Sequence, residues 1–441
     1  MSSKLPIGVA TIERLFKLFI SYIFIFLISC TPVNLSKQVS KNNQDDTNSK
    51  KIVTTKSKDK TIIKKENNEK ENNKILYDVV LDKTIIALFA KDDDPKITKQ
   101  FLNTFELGIY NLEVKNINLK IETFENDMDL KNIIESNLSP GKLFLGPIQS
   151  KYTKILKNYC NHEVIFFSFS SQSSLAEDCV YLFNFFPKNE VSQLLLYLNE
   201  DAKVALLYPE NQYGYLINSF IDEIIFESSA ILVNRSSYKD DLSNVRESIK
   251  ELGKYELRRY ELNRQKQILS SKKDDKSKKR LKKLKKFKTT SDYDFTHVLI
   301  ADFGLNLLQV APLLPYYDID PNIVQFMGTG VIDDKTFFYE PSLQGAIFPG
   351  VPEIRRIDLI NNYKQIYEEE FLRISTLSYD LIGLINFIYN KQYKMIDVIK
   401  LLNNKTKKFY GVDGNFYFKD NMVERDLDIL RINNGNSFVI N

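Results

Sequence analysis

The chain has 441 residues, 43% of them hydrophobic, which suffices for one large core or two modest ones. Its net charge of +4 hides an uneven distribution: residues 254–288 carry 16 basic and 4 acidic side chains, and the chain beyond residue 82 is otherwise acidic. An acidic body argues against a nucleic-acid-binding protein.

At the N-terminus, Lys4, Arg14 and Lys17 are opposed only by Glu13 and precede an uncharged apolar run from Leu18 to Ser29. A bilayer-spanning helix needs ~20 apolar residues. The run is too short to span and fits the apolar region of a secretory signal. It ends Leu27-Ile28-Ser29-Cys30, which resembles the lipobox of bacterial lipoproteins. That resemblance implies a signal peptide over 1–29 and a lipidated Cys30 as the first mature residue; an uncut signal anchor is the alternative. Cys160 and Cys179 then remain as an even pair, and a disulfide or two buried thiols both fit. Residues 30–82 are rich in Lys, Asn, Ser and Asp and read as a disordered tether behind the lipid.

From residue 84 the pattern changes. TIIALFA (84–90) reads as a buried strand, and Ile97, Phe101, Leu102, Phe105, Leu107 and Ile109 then fall near helical spacing. An alternating strand (117–125), a short helix near 129–136, a strand at 142–147, a helix near 149–158 and a strand at 163–170 follow. The order is that of a parallel sheet with helices on both faces. The rhythm restarts with a helix at 190–198, a strand at 203–209, a helix at 213–228, a strand at 230–238 and a helix from Asp241. After the basic segment come a strand (295–303), a helix (304–314) and a strand (322–331). The tail has helices at 358–370, 375–390 and 395–404, then one β-hairpin over 409–432 turning near Asp420-Asn421.

Several stretches in this order resemble the type I periplasmic binding protein (leucine-binding-protein-like) superfamily. LFLGPIQS (143–150) resembles its strand and glycine loop facing the cleft, and VIFFSFSSQSS (164–174) its next strand and loop. VALLYPENQYGYLINSFIDE (204–223) resembles the strand and helix entry of the second lobe. SYDLIGLINFI (378–388) resembles the returning helix, and residues 409–435 the closing hairpin. The resemblance spans 83–435 and implies an α/β fold of two doubly wound, Rossmann-like lobes with a central cleft. Lobe 1 would be 83–200 with 353–405 returning to it. Lobe 2 would be 201–352, including a basic helical insertion at 254–291, and 406–441 a C-terminal β-hairpin and tail. Within the superfamily, FGLNLLQVAPLLPYYDIDPNIVQFMGTGVID (303–333) resembles a segment of the penicillin-binding-protein activators, a lipoprotein branch. The best-known activators carry a helical-repeat domain ahead of the lobes, where this chain has the tether.

Proteins of this fold bind ligands in the cleft without transforming them, and hold ligand carboxylates with hydroxyls and helix N-termini. The resemblance points to Ser150, Ser168, Ser170, Ser171 and Gln172 from lobe 1, and to Tyr213 and Asp302 from lobe 2. Ser171 and Gln172 stand where amino-acid receptors favour Ala and Thr, which weakens an amino-acid ligand. Asp302 ends a strand and is expected to cap the helix beginning near Gly304. Asp92 to Asp94 read as a solvated acidic loop. His162 and His297 lack spaced metal-ligand partners, and the glycines at 328 and 330 lack the rest of a dinucleotide fingerprint. No cofactor, metal or catalytic role is expected.

In the basic segment, Tyr255, Leu262 and Leu269 recur every seven residues, and Leu281, Leu284 and Phe287 form a second stripe. Two helices folding back on each other would bury both and project a basic arm from lobe 2. That arm either touches anionic headgroups or an acidic protein surface, or is simply solvated. The expectation is an envelope lipoprotein, on the outer membrane because Thr31 follows Cys30, acting by recognition. The first reading is an activator-like regulator whose partner is a peptidoglycan synthase or other envelope protein. The second is the receptor of an uptake system for amino acids or other small polar solutes.

Overall fold

The structure, a computed structural model, describes residues 79–440. The signal run, Cys30 and nearly all of the expected tether lie outside the described residues.

Chain order opens with β1 (Thr84–Ala90), α1 (Pro95–Asn111), β2 (Asn118–Phe124), α2 (Asp127–Asn137), β3 (Leu143–Leu145), α3 (Ser150–Leu156), β4 (Ile165–Ser168) and β5 (Val180–Leu182). Local chemistry sets several of these boundaries. The Asp94 carboxylate accepts from Lys96 N at 2.8 Å and Ile97 N at 3.1 Å, and Pro95 opens α1. Asn126 caps α2 through Met128 N and Asp129 N. β1 alternates between two cores: Ile85, Ala87 and Phe89 face one, and Ile86, Leu88 and Ala90 the other. A strand covered on both faces therefore reads as an unbroken apolar run.

The second unit contains α4 (Pro187–Tyr197), β6 (Lys203–Pro209), α5 (Gln212–Ile224), β7 (Ile231–Tyr238), α6 (Val245–Leu252), α7 (Tyr255–Ser271) and α8 (Asp275–Leu284). It continues through β8 (His297–Ile300), α9 (Gly304–Val310), α10 (Leu313–Tyr316), β9 (Gln325–Met327), α11 (Lys335–Phe338) and β10 (Ile347–Gly350). The chain then runs through α12 (Ile357–Tyr367), α13 (Thr376–Asn390), α14 (Met395–Leu402), β11 (Phe416–Lys419), β12 (Met422–Arg425), β13 (Asp428–Asn433) and β14 (Asn436–Val439).

Each unit is built on a seven-stranded sheet, ordered β11-β12-β5-β4-β3-β1-β2 and β14-β13-β10-β9-β8-β6-β7. In the first, β12 runs parallel to β5; in the second, β13 runs antiparallel to β10. Helices cover both faces of each sheet, so the molecule has two doubly wound lobes. The chain passes between them three times: from β5 to α4, from β10 to α12, and from β12 to β13.

Three details differ from the sequence reading. The single hairpin expected over 409–432 is two, turning at Asp420-Asn421 and Asn434-Gly435 with left-handed backbone at each, and the pair is divided between the lobes. Alternation runs on through both hairpins, so only the choice of sheet separates them. Next, α4 places Val191, Leu194 and Leu195 in the same core as Val204, Leu206 and Ile217. The first passage to lobe 2 thus falls just after β5, ahead of the expected boundary at 200. Lastly, β5 and β10 have 3 and 4 residues, too few to show a period.

Candidate functional site

In doubly wound sheets, ligands bind beyond the carboxyl ends of the strands. In lobe 1 those ends carry Asp92 and Asp93 after β1, Gly146 to Ser150 after β3, and Ser168 to Ser174 after β4. The structure brings Ser150, Ser168 and Ser170 together. The Ser150 and Ser170 hydroxyls are 2.7 Å apart. Ser168 Oγ lies 2.8 Å from Thr153 Oγ1, donates to the Pro147 carbonyl at 3.0 Å, and accepts from Ser170 N at 3.1 Å. Ser168 and Ser170 are both fully buried. These hydroxyls form an internal seam holding the β3 and β4 loops together. Gly146, with left-handed backbone, lets the start of the β3 loop pass close to β1, because a Cβ there would run into the Leu88 carbonyl.

Ser171 and Gln172 instead lie exposed on the rim, where Gln172 Nε2 donates to Ser174 Oγ at 3.0 Å. The acidic loop is not wholly solvated as expected. Asp93 is buried, accepts from Ala90 N at 2.8 Å and Gln149 Nε2 at 2.9 Å, and burial pushes its carboxyl up.

In lobe 2, Tyr213 OH lies 2.5 Å from Thr329 Oγ1, and its ring meets Phe303 edge-on with centroids 5.2 Å apart. Asp302 is not a helix cap. It is buried and accepts from Tyr238 OH at 2.6 Å and from Phe303 N at 2.8 Å, joining the ends of β8 and β7. Burial pushes its carboxyl up, and α9 starts without a side-chain cap.

Sequence reasoning missed a buried ion network at the lobe junction. Arg356 reaches Asp413 at 2.6 Å and Asp333 at 3.0 Å. Arg373 reaches the same two carboxylates at 2.8 Å and 3.2 Å. Arg425 pairs with Asp380 at 2.8 Å and donates to the Asp413 carbonyl at 3.0 Å. The rings of Phe185 and Phe416 lie 5.0 Å and 5.4 Å from its guanidinium. Glu190, at the start of α4, accepts from Gly330 N at 2.9 Å across the junction.

Burial alone would raise the Asp413 carboxyl, but the guanidinium groups of Arg373, Arg356 and Arg425 outweigh it and hold it well below the usual carboxylate range. For Glu190 burial wins, and its carboxyl is raised despite Arg373. Two signals could have exposed this network: Asp380 alone within an apolar helix, and Asp413 between Gly411 and Gly414. A Cβ on Gly411 would collide with the Asp380 carboxylate.

Elsewhere, Cys160 and Cys179 are joined by a disulfide with Cα atoms 5.2 Å apart. It borders a cavity of about 290 Å³ at the opposite, N-terminal ends of β4 and β5, lined also by Glu163, Tyr181, Met395 and Ile399. Among the described residues, no group of three or more His, Cys, Asp or Glu could hold a metal ion, and no helix is long and apolar enough to cross a membrane.

No family model matches the chain. It is 20% identical over 365 residues to an uncharacterized protein of Rickettsia prowazekii, covering 80% of this chain and 88% of that one. A putative branched-chain amino acid ABC transporter protein from Rhodospirillum rubrum superposes with a TM-score of 0.62 at 12% identity, over 82% of this chain and 100% of that one. The C-domain of LpoA from Haemophilus influenzae, a regulator of PBP1A, gives 0.54 at 11% identity, over 81% and 100%. An ABC transporter substrate-binding protein from Desulfitobacterium hafniense, in complex with Leu, gives 0.51 at 13%, over 81% and 100%. With two seven-stranded doubly wound sheets joined by three crossings, the chain has the two-lobe fold of the type I periplasmic binding proteins, shared by solute receptors and a regulator of PBP1A.

Proposed function

We propose that this protein is a non-catalytic recognition protein of the cell envelope that regulates peptidoglycan synthesis by contacting a synthase or another envelope protein. Lipidation of Cys30 would hold it at the membrane, on the outer one in a double-membrane cell. The observation that carries this reading is the internal pairing of the cleft-side hydroxyls. Ser150, Ser168, Ser170 and Tyr213 bond to neighbouring side chains, and Ser168 and Ser170 are closed to solvent. A polar solute would have to displace those bonds to be held, which offsets its own. The likeness to the LpoA C-domain supports the same reading.

The second reading, a receptor for amino acids or other small polar solutes in an uptake system, is favoured by the likeness to the Rhodospirillum rubrum protein and by exposed Ser171 and Gln172 beside β4. Crosslinking in cells and a thermal-shift screen separate the two. Recovery of a peptidoglycan synthase, with no amino acid or small polar metabolite raising the melting temperature, supports the regulator. A metabolite that raises it by several degrees, with the shift abolished in Ser171→Ala/Gln172→Ala, overturns the regulator in favour of the receptor.

A further inference from the structure

We propose that α7 and α8 form a rigid basic arm that docks the protein on an anionic lipid surface. This does not rest on the regulator reading. α7 and α8 fold back on each other: Lys266 Nζ donates to the Phe287 carbonyl at 2.9 Å, and Leu262 and Leu284 line the seam between the helices.

The arm is braced at its base. Arg258 is 3% exposed. Its Nε donates to the Gly253 carbonyl at 2.6 Å. Its Nη1 donates to Thr289 Oγ1 at 3.1 Å and to the carbonyls of Thr290 and Asp318 at 2.9 Å and 3.0 Å. Its Nη2 donates to the Tyr317 carbonyl at 3.2 Å, and the guanidinium sits over the Tyr293 ring at 4.6 Å. One side chain thus ties both legs of the hairpin to the end of α10. Little ordering cost remains for docking to meet.

Three ion pairs lie within the arm, Arg259–Glu256, Arg264–Glu261 and Lys278–Asp275, but most of its lysines have none among the described residues. Lys276, Lys279, Lys282, Lys283, Lys285 and Lys286 are all exposed, and none has a carboxylate within ion-pairing distance among the described residues. In the lobes, by contrast, Lys91, Lys120, Lys188 and Lys408 each reach a carboxylate.

The occupant follows from the kind of charge. Arg forks suit a shaped carboxylate or phosphate site; Lys ammonium groups act as hydrated point charges. A helix ringed with them matches a continuous field of anionic headgroups better than one partner site. Phe287, 55% exposed at the foot of the same segment, can settle at headgroup depth. The acidic lobes are repelled by such a surface, so the arm also decides which side of the molecule faces it.

The test uses the full chain, with phosphatidylglycerol vesicles compared against pure phosphatidylcholine at low and high salt. The difference between the two lipids is the readout, since an apolar leader or an attached acyl chain binds both. The wild type should prefer phosphatidylglycerol by about 100-fold at low salt, taking about fivefold for each of a few lysines, and lose that preference at high salt. The variant with Lys278, Lys279, Lys282, Lys283 and Lys285 all changed to Gln should show no preference while melting as the wild type does. A control with Lys91, Lys99, Lys151, Lys188 and Lys408 changed to Gln should keep it. Equal wild-type binding to both lipids overturns the proposal, as does a preference surviving in the arm variant. If the wild type shows no lipid preference but the arm variant loses a crosslinked acidic envelope protein, the arm serves a protein partner and the lipid proposal fails.

Discussion

The lobe junction and the arm use charged side chains in opposite ways. At the junction, the Arg356, Arg425 and Asp413 side chains are 6%, 2% and 0% exposed, and every guanidinium meets a carboxylate. On the arm the lysines are exposed and their charges face water. Burying charge costs desolvation that its partners must offset, so a buried network tolerates one geometry and fails when a member is removed. Exposed charge costs little and contributes a field that salt screens. One arrangement turns its charges inward onto each other; the other turns them to water.

The largest break in that contrast should come from Asp413→Asn. It leaves Arg356 and Arg373 with Asp333 as their one shared carboxylate, and urea unfolding should show a loss of about 3–5 kcal/mol. The pH dependence gives a second reading of the same site. Asp413 has a depressed folded-state pKa, so its contribution is fully present above the ordinary aspartate value of about 3.9 and is lost as pH falls through the lower folded value. Glu190, with a raised value, works in the opposite direction: the folded form takes up its proton first, and its unfavourable effect fades as pH falls. Wild-type stability should therefore drop on acidification below about pH 4, and Asp413→Asn should flatten that drop.

Arg258→Met comes next. Four carbonyls at the base of the arm lose a donor, of which the Asp318 carbonyl keeps the Tyr293 hydroxyl, and the loss should be about 1–3 kcal/mol, with trypsin cutting within 255–288 before it cuts the lobes. The smallest effect is expected for the five-lysine arm variant. Its unfolding free energy should stay within about 0.5 kcal/mol of wild type; a larger loss would mean the arm's charges are structural and would erase the contrast.

Much of the fold was legible because it is written in short-range patterns. The run from Ile85 to Ala90 announced a buried strand, and the spacing of Ile97, Phe101 and Phe105 announced α1. The seven-residue spacing pointed to the arm's inner stripe, where Leu262 is 1% exposed; Tyr255 instead packs edge-on against Tyr317 of lobe 2 at 5.5 Å, and Phe287, expected to be buried, is 55% exposed. The candidate site was legible only in part. Serines after β4 were visible as a polar cluster following an apolar strand. That Ser168 and Ser170 are satisfied by Thr153, Pro147 and Ser150, while Ser171 and Gln172 face solvent, depends on how the β3 and β4 loops meet. Asp302 was misread as a cap because its acceptor role is filled by Tyr238, a residue 64 positions away.

By itself, the sequence determined the alternation of strands and helices, the two-lobe plan and the segregation of basic charge into one segment, because composition and periodicity are properties of neighbouring residues. Only the tertiary structure decided how the closing strands divide between the lobes, which hydroxyls beyond β3 and β4 face solvent, and where the buried charges find partners. Arg356 and Asp413 are 57 residues apart, and Glu190 and Gly330 are 140 apart. No local pattern records such a pairing; it exists once packing excludes water and gathers the partners that satisfy each charge.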